Sequence, residues 1–141
     1  MTSAITPTPT YDGVDALLAD ARARLARISP ETAHRELHAG EALLVDIRPA
    51  AQRAVEGEVR GGLPTLVVER NVLEWRLDPR SDARLPEASY DRRVIVLCQE
   101  GYASSLAADT LRSLGVHRAT DVVGGFAAWR SAGLPIGGFT A

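Results

Sequence analysis

Cysteine is nearly absent from this chain, and lysine is absent altogether. Of its 141 residues one is cysteine, Cys98, and all 16 basic residues are arginine. A single cysteine cannot form an intramolecular disulfide, and a free thiol suits a reducing compartment. With no second cysteine and no cluster of histidines, the sequence predicts no metal site, and nothing in it indicates a cofactor.

The sequence also lacks a dominant charge and a long apolar run. The formal net charge is −2, so there is no basic field to hold a nucleic acid backbone. No apolar run approaches the length of a membrane span. Residues 1–7 contain no basic segment followed by an apolar stretch, as a secretory signal would. These absences predict a cytoplasmic protein that binds neither nucleic acid nor a membrane.

What the chain does have is enough apolar sequence for one folded domain. Its apolar fraction of 45% and charged fraction of 24% are ordinary for a globular protein of this length. Short apolar runs alternate with segments of helical periodicity. This alternation indicates an α/β fold, with a parallel sheet covered by helices on both faces. The predicted strands are 43–45, 65–68, 93–97 and 119–123, and the main predicted helices are 29–40, 49–56, 104–114 and 126–132.

Cys98 lies where a reactive cysteine would have to lie. The apolar run 94–97 precedes it, a short loop follows, and a helical pattern begins at Ser104. In a parallel α/β sheet, ligands bind beyond the carboxyl ends of the strands, and free N–H groups at the next helix favour a thiolate. Gly101 lets the loop curl, and Ser104 and Ser105 can cap the helix, so the loop can form an anion cradle. The alternative is a core cysteine, since a lone cysteine at a strand end is usually buried for packing alone.

Five segments, taken in chain order, carry a resemblance to a known family. They are LVDIR at 44–48, EGEVRGG at 56–62, VIVLCQEGYAS at 94–104, LG at 114–115, and VVGGFAAW at 122–129 with AGLP closing at 135. Together they resemble a single-domain rhodanese (sulfurtransferase) domain over about residues 28–136. The resemblance implies a five-stranded parallel sheet flanked by helices on both faces, with Cys98 as the sulfur acceptor. It also implies that Asp46 and Arg48 are the family's Asp-x-Arg pair, which mainly orders the structure near the site.

The chain accordingly divides into three parts. Residues 1–10 are rich in threonine and proline and are predicted to be disordered. Residues 11–28 carry apolar positions at helical spacing and are predicted to form an extra N-terminal helix. Residues 29–137 are predicted to form the rhodanese-like domain.

The loop departs from the family pattern at positions that normally carry charge. The family usually has arginine just after the cysteine and again near the end of the loop, where this chain has Gln99 and Ala103. Arginine binds sulfonate or phosphate oxygens through paired hydrogen bonds, so its absence argues against thiosulfate as a good substrate, and more strongly against a phosphatase. Glu100 adds a negative charge that disfavours the thiolate. Glu58 stands where the family often has histidine.

Three residues after the second predicted strand could compensate for the missing loop arginines. Arg70 or Arg76 could reach over the loop, and Trp75 could form a wall of the pocket, because this segment emerges at the same edge of the sheet. The alternative is that Trp75 packs a surface excursion and both arginines are solvated. Tyr102 at the loop tip is either a substrate contact or an exposed ring.

Three functional hypotheses are open from the sequence. The first is a sulfurtransferase that carries sulfane sulfur as a persulfide on Cys98. Its donor would be a small persulfide or a partner protein rather than thiosulfate, and its acceptor a thiol, cyanide or a partner protein. The second is a binding or regulatory module with Glu100 and Tyr102 at the rim of its cleft, and the third is a thiol redox sensor. The candidate site is catalytic Cys98 with the loop residues Gln99, Glu100, Gly101, Tyr102, Ala103 and Ser104, supported by Asp46, Arg48, Arg70, Trp75 and Arg76.

Overall fold

The computed structural model describes residues 6–138, and its centre is a four-stranded parallel sheet. In chain order the strands are β1 (Leu43–Asp46), β2 (Glu58–Val59), β3 (Thr65–Val67), β4 (Val94–Leu97), β5 (Thr120–Asp121) and β6 (Ile136–Gly137). The main sheet has the order β3-β1-β4-β5, and every neighbouring pair is parallel. Both central strands, β1 and β4, are buried along their whole length, which explains why they read as nearly continuous apolar runs.

Six α-helices surround the strands in the described part of the chain. They are α1 (Val14–Ala23), α2 (Pro30–His38), α3 (Ala50–Glu56), α4 (Leu73–Leu77), α5 (Ala103–Ser113) and α6 (Gly125–Ser131), with a 3₁₀ turn at Arg70–Val72 before α4. The start of α2 is as predicted, because Ser29 Oγ accepts the Thr32 N–H at 3.1 Å and Pro30 occupies the first helical position. Within residues 6–138, none of the helices is both long enough and apolar enough to cross a lipid bilayer.

The sheet buries a core on each of its two faces. Side chains of β1 and β4 alternate, so Val45 and Val96 pack in one core while Leu44 and Ile95 pack in the other. Residues of α4 and α5 complete the first core, and residues of α2 and α6, including the fully buried Trp129, complete the second. The predicted α/β architecture with helices on both faces is therefore confirmed.

The expected count of five parallel strands is wrong, because the main sheet has four. At the outer edge of β5, Ile28 pairs with Val122 through an isolated parallel bridge and extends no further. Ser29 and Pro30 follow immediately and start α2, and proline has no N–H to donate to a ladder. The remaining strand residues form a separate antiparallel pair, β2 with β6, which was not predicted.

The N-terminal helix is shorter than the predicted span 11–28. It covers Val14–Ala23, with Leu18 and Ala21 buried, and the chain then runs extended to the bridge at Ile28. Thr120 Oγ1 donates to the Ala26 carbonyl at 2.9 Å, so contacts with β5 replace the last helical turn. Of the segment predicted to be disordered, residues 1–5 lie outside the described residues, and residues 6–10 are exposed and contain no helix or strand.

Ion pairs connect the end of α1 with α5. Arg24 Nε and Nη2 donate to the two oxygens of the Asp109 carboxylate, each at 2.7 Å. These bonds to Asp109, with a further bond to Asp20, raise the pKa of Arg24 above its usual range. The Tyr11 hydroxyl donates to Asp20 at 2.5 Å, and this bond, together with Arg24, lowers the pKa of the Asp20 carboxyl. These ion pairs lie at the edge of the contact between α1 and α5, the helix that follows Cys98.

Candidate functional site

The loop between β4 and α5 folds around the sulfur of Cys98. Cys98 directly follows the buried strand, and its side chain is buried at 8% exposure. The Gly101 N–H donates to Cys98 Sγ at 3.2 Å and the Ser104 N–H donates to it at 3.3 Å. Because two backbone N–H groups converge on one sulfur, the loop forms a cradle for an anion at that atom.

Gly101 gives the loop its curvature. Its φ is +85°, a left-handed conformation that residues with a Cβ adopt at a cost. A Cβ at this position would also lie 2.9 Å from the Gly124 nitrogen and 3.1 Å from the Val122 carbonyl oxygen. Glycine is therefore required both by the backbone conformation and by the close approach of the turn after β5.

The buried carboxylate of Asp121 accepts hydrogen bonds from the serine pair at the end of the cradle. The hydroxyls of Ser104 and Ser105 both donate to Asp121 Oδ2 at 2.8 Å, and Asp121 is fully buried at the end of β5. Arg27 balances this charge, with Nε donating to Asp121 Oδ1 at 2.8 Å and Nη2 donating to Oδ2 at 3.1 Å. A buried carboxylate is retained only when it is paired and hydrogen-bonded, and here both requirements are met.

Two arginines from the N-terminal segment reach the loop itself. Arg22 Nη2 donates to the Gly101 carbonyl at 2.7 Å, and Arg27 Nη2 donates to the same oxygen at 2.9 Å. Arg22 Nε also donates to Ser105 Oγ at 3.1 Å, and its guanidinium lies over the Tyr102 ring, 5.4 Å from the centroid. The positive charge near the loop therefore comes from the N-terminal segment and not from the side chains of the loop itself.

The predicted Asp46–Arg48 pair lies beside the loop and is almost fully buried. Arg48 Nη2 donates to Asp46 Oδ2 at 2.7 Å and to the Gly57 carbonyl at 2.9 Å. Its Nη1 donates to Gln99 Oε1 at 3.2 Å, and its guanidinium stacks 4.1 Å above the Phe126 ring. With every face of Arg48 engaged by protein, the pair ties the end of β1 to the first loop residue.

An open cleft of about 650 Å³ lies in front of the cradle. The loop contributes Cys98, Gln99, Glu100, Tyr102 and Ala103 to its walls. The facing walls come from residues after β1, from α3 and from the 3₁₀ turn, namely Ile47, Arg48, Pro49, Gln52, Glu56, Glu69, Arg70 and Asn71.

Of the three compensating residues suggested by the sequence, the structure brings one to the cleft. Arg70 lines it, although its Nη1 is also paired with Glu74 at 2.9 Å. Trp75 lies outside the cleft with 61% of its surface exposed, and Arg76 Nη1 donates to the Ala83 carbonyl at 2.5 Å. The most exposed charges that line the cleft are therefore the carboxylates of Glu69 and Glu100, since Glu56 is half-buried and paired with Arg48 Nη1 at 3.4 Å.

The model of the family described as "Rhodanese-like domain" matches residues 29–132. This chain belongs to the rhodanese-like domain family. The match begins at the N-cap of α2 and ends just after α6, so α1 precedes the part of the rhodanese-like domain that the family shares.

Curated relatives of the rhodanese-like domain include sulfurtransferases. An adenylyltransferase and sulfurtransferase of Zea mays is 34% identical over 87 residues, covering 62% of this chain and 17% of the maize protein. The thiosulfate sulfurtransferase GlpE of Vibrio cholerae is 40% identical over 52 residues, covering 37% of this chain and 49% of GlpE. The aligned part is thus less than half the length of either relative.

Solved structures share the fold over most of the chain. A protein of unknown function from Rhodopseudomonas palustris, described as a possible tyrosine phosphatase, has a TM-score of 0.80 at 28% identity, covering 93% of this chain and 98% of that one. The polysulfide-sulfur transferase homodimer of Wolinella succinogenes has a TM-score of 0.71 at 24% identity, covering 86% and 85%. A human single-domain sulfurtransferase has a TM-score of 0.60 at 23% identity, covering 74% and 95%. The latter two matches show the shared fold alone.

Three residues around the cradle of the rhodanese-like domain were not predicted from the sequence. For Asp121 the sequence contains a feature that could have predicted its role, since a carboxylate inside a predicted strand must find a buried partner. For Arg22 and Arg27 it contains none, because they lie 79 and 74 residues from Gly101 in the chain. Within residues 6–138, no group of histidine, cysteine and carboxylate side chains is arranged to hold a metal ion.

Proposed function

We propose that this rhodanese-like domain is a sulfurtransferase that carries sulfane sulfur as a persulfide on Cys98. The observation that carries the proposal is a free thiol with two backbone N–H donors at the floor of an open cleft. Such donors favour the thiolate over the thiol, and they stabilise the terminal sulfur of a persulfide anion in the same way. The cradle thus suits both states that the transfer cycle requires.

The transfer proceeds through two sulfur displacements. The Cys98 thiolate attacks the outer sulfur of a persulfide donor, R–S–SH; a new S–S bond forms, the donor S–S bond breaks, and R–S⁻ leaves with the electron pair. An acceptor thiolate or cyanide then attacks the outer sulfur of the Cys98 persulfide. Its S–S bond breaks, the acceptor keeps the sulfur, and the Cys98 thiolate is regenerated, so no external oxidant or reductant is needed.

The charges of the cleft select the kind of donor. Thiosulfate is a dianion, and its sulfonate would meet the exposed carboxylates of Glu69 and Glu100. Arg48 is paired with both Asp46 and Glu56, and Arg70 is shared with Glu74, so neither arginine is a free partner for a sulfonate. We therefore propose a small thiol persulfide or a persulfide on a partner protein as the donor, with thiosulfate a poor one. A thiol, cyanide or a partner protein serves as acceptor.

Intact-mass measurement tests the proposal directly. The purified protein is incubated with glutathione persulfide, 3-mercaptopyruvate or thiosulfate, and the mass is read before and after cyanide is added. The expected result is one added sulfur from the persulfide, its removal by cyanide, and little loading from thiosulfate. Cys98→Ser is the matched control, and a wild-type protein that gains no sulfur from any donor would sink the proposal.

The second candidate is a binding or regulatory module. The observation in its favour is the rim of the cleft, where Glu100 is exposed and 58% of the Tyr102 surface is accessible to a partner. In that case the domain keeps the fold but does not transfer sulfur. Neither wild type nor Cys98→Ser would then gain sulfur in the intact-mass measurement. A redox sensor would instead form a mixed disulfide or sulfenic acid at Cys98, since the chain has no second cysteine.

A phosphatase activity is disfavoured by the same loop. Phosphoryl transfer needs cationic partners for the equatorial oxygens, and the loop presents Gln99, Glu100 and Ala103 where such partners would face the cleft. No hydrolysis of p-nitrophenyl phosphate is expected under conditions in which sulfur is loaded. Because persulfide chemistry needs Cys98 in its reduced form, we propose the cytoplasm as the compartment.

A further inference from the structure

We propose that Arg22 and Arg27 are positioning residues for Cys98, which hold the loop in its cradle conformation and supply the positive charge that favours the thiolate. Only the consequence of this inference for sulfur transfer rests on the proposed function. The reactivity of the Cys98 thiol can be measured without any sulfur donor.

Both arginines contact the same carbonyl oxygen. Arg22 Nη2 and Arg27 Nη2 donate to the Gly101 oxygen at 2.7 Å and 2.9 Å. Two guanidinium groups repel each other, so this convergence needs an anion nearby. Asp121 supplies one, since its buried carboxylate is paired with Arg27 through two hydrogen bonds.

The two arginines differ in how their charge is balanced. Arg27 is an ion-pair partner of Asp121, whereas no carboxylate within residues 6–138 lies within ion-pair distance of Arg22. The polar contacts of Arg22 are the Gly101 carbonyl and Ser105 Oγ, both part of the segment that surrounds the sulfur. The charge of Arg22 is therefore directed at the loop rather than neutralised elsewhere.

The contacts of the Gly101 carbonyl also restrict the backbone conformation of Gly101. Glycine at φ +85° has other accessible conformations, so something must select this one. The Gly101 N–H, which donates to Cys98 Sγ, and the Gly101 carbonyl belong to two planar peptide units that are joined by the φ and ψ of Gly101. Anchoring the carbonyl to Arg22 and Arg27 restricts these two angles and so limits the directions in which the N–H can point.

Several charged groups face this part of the structure. Arg22 and Arg27 approach from the N-terminal segment, Asp121 from β5 and Arg48 from the end of β1. The loop adds Glu100, and the opposite walls of the cleft add Glu56, Glu69 and Arg70. Arg22 can be altered without leaving a buried carboxylate unpaired, which makes it the variant to test.

Arg24 provides the matched control. It lies at the C-terminal end of the same helix and donates to Asp109 at 2.7 Å, and it makes no hydrogen bond with the loop. Because this ion pair is half exposed, it contributes little to stability. Arg24→Ala therefore removes a positive charge beside α1 and leaves the Arg22 contact with Gly101 in place, while Arg22→Ala removes that contact. Arg22→Lys keeps a positive charge and a single donor group.

The experiment measures the rate of Cys98 alkylation by iodoacetamide across a range of pH in the full chain. We expect Arg22→Ala to slow alkylation at pH 7 about three- to tenfold, since a positive charge near a thiolate favours it. Arg24→Ala should match wild type, and Arg22→Lys should recover part of the rate. Loading of sulfur from glutathione persulfide should follow the same order of variants.

The outcomes separate this inference from the proposed function. Wild-type alkylation rates in Arg22→Ala, equal losses in Arg22→Ala and Arg24→Ala, or no recovery in Arg22→Lys would each overturn the positioning role. If wild type takes up no sulfur, the alkylation profile still decides the role of Arg22, because it needs no donor. Should Arg22→Ala fail to fold, Arg22→Gln gives the comparison in its place, since it keeps most of the aliphatic stem and one amide donor but loses the charge and the reach of the guanidinium group.

Discussion

Replacement of Gly101 by alanine tests whether the loop needs glycine for the reasons that the structure gives. A left-handed backbone costs an alanine about 1–2 kcal/mol. The new methyl would lie 2.9 Å from the Gly124 nitrogen and 3.1 Å from the Val122 oxygen, and overpacking of this kind costs about 1–3 kcal/mol more. The expected loss in the free energy of unfolding is therefore about 2–5 kcal/mol.

Gly62→Ala is the matched control, because it separates conformation from contact. Gly62 has φ +71°, but a Cβ there would meet no atom within 4 Å. Its expected loss is the conformational part alone, about 1–2 kcal/mol. Urea denaturation of wild type and both variants measures the difference, and sulfur loading of Gly101→Ala reports whether the cradle has moved. If Gly101→Ala loses no more stability than Gly62→Ala, the account of close packing around the loop is wrong.

Two further predictions concern the charges of the cleft. Arg70→Ala should slow loading from glutathione persulfide about two- to fivefold, because Arg70 lines the cleft, whereas Arg76→Ala should match wild type; identical rates for all three proteins would contradict the assignment. Glu100→Gln should speed loading from thiosulfate by about the same factor at low salt, and the gain should shrink as ionic strength rises. Glu31→Gln, which removes an exposed carboxylate outside the cleft, should leave the rate unchanged, and a thiosulfate rate insensitive to Glu100 would refute the electrostatic account of donor choice.

The surroundings of Cys98 could be predicted from the sequence because they depend on neighbouring residues. An apolar run of four residues, a cysteine, a glycine three positions later and a serine pair are enough to specify strand, loop and helix. The structure places Val94–Leu97 in β4 and starts α5 at Ala103, within one residue of the expected start. Local pattern and local chemistry agree here, so little information from the rest of the chain is needed.

The strand count could not be predicted in the same way. Whether Ile28 extends a fifth strand depends on where α2 begins, and Ser29 and Pro30 begin it immediately. The sequence does contain that helix start, but a resemblance to a family carries the typical strand number of the family with it. The pair β2–β6 was missed for a different reason, since two residues on each side give no periodic pattern to detect.

The arginines behind the loop show where reading along the chain fails. Arg22 lies in a predicted surface helix, and Arg27 lies just after the observed helix ends. Such residues are normally solvated, and nothing in their neighbourhood distinguishes them from Arg24, which contacts only carboxylates. The packing of α1 on α5 brings Arg22 to Gly101, whereas the bridge of Ile28 to Val122 and the pairing with Asp121 bring Arg27 there.

The long separation between Gly101 and its two arginines has a consequence for the order of folding. Arg22 and Arg27 leave the ribosome 79 and 74 residues before the carbonyl that they bind, and Asp121 follows that carbonyl by a further stretch of chain. Contacts of such sequence separation close long loops, and the entropic cost of closure must be met before the contacts stabilise the fold. The charged surroundings of Cys98 therefore exist only in a chain whose distant parts have met, so local order in β4 and α5 alone does not complete the site.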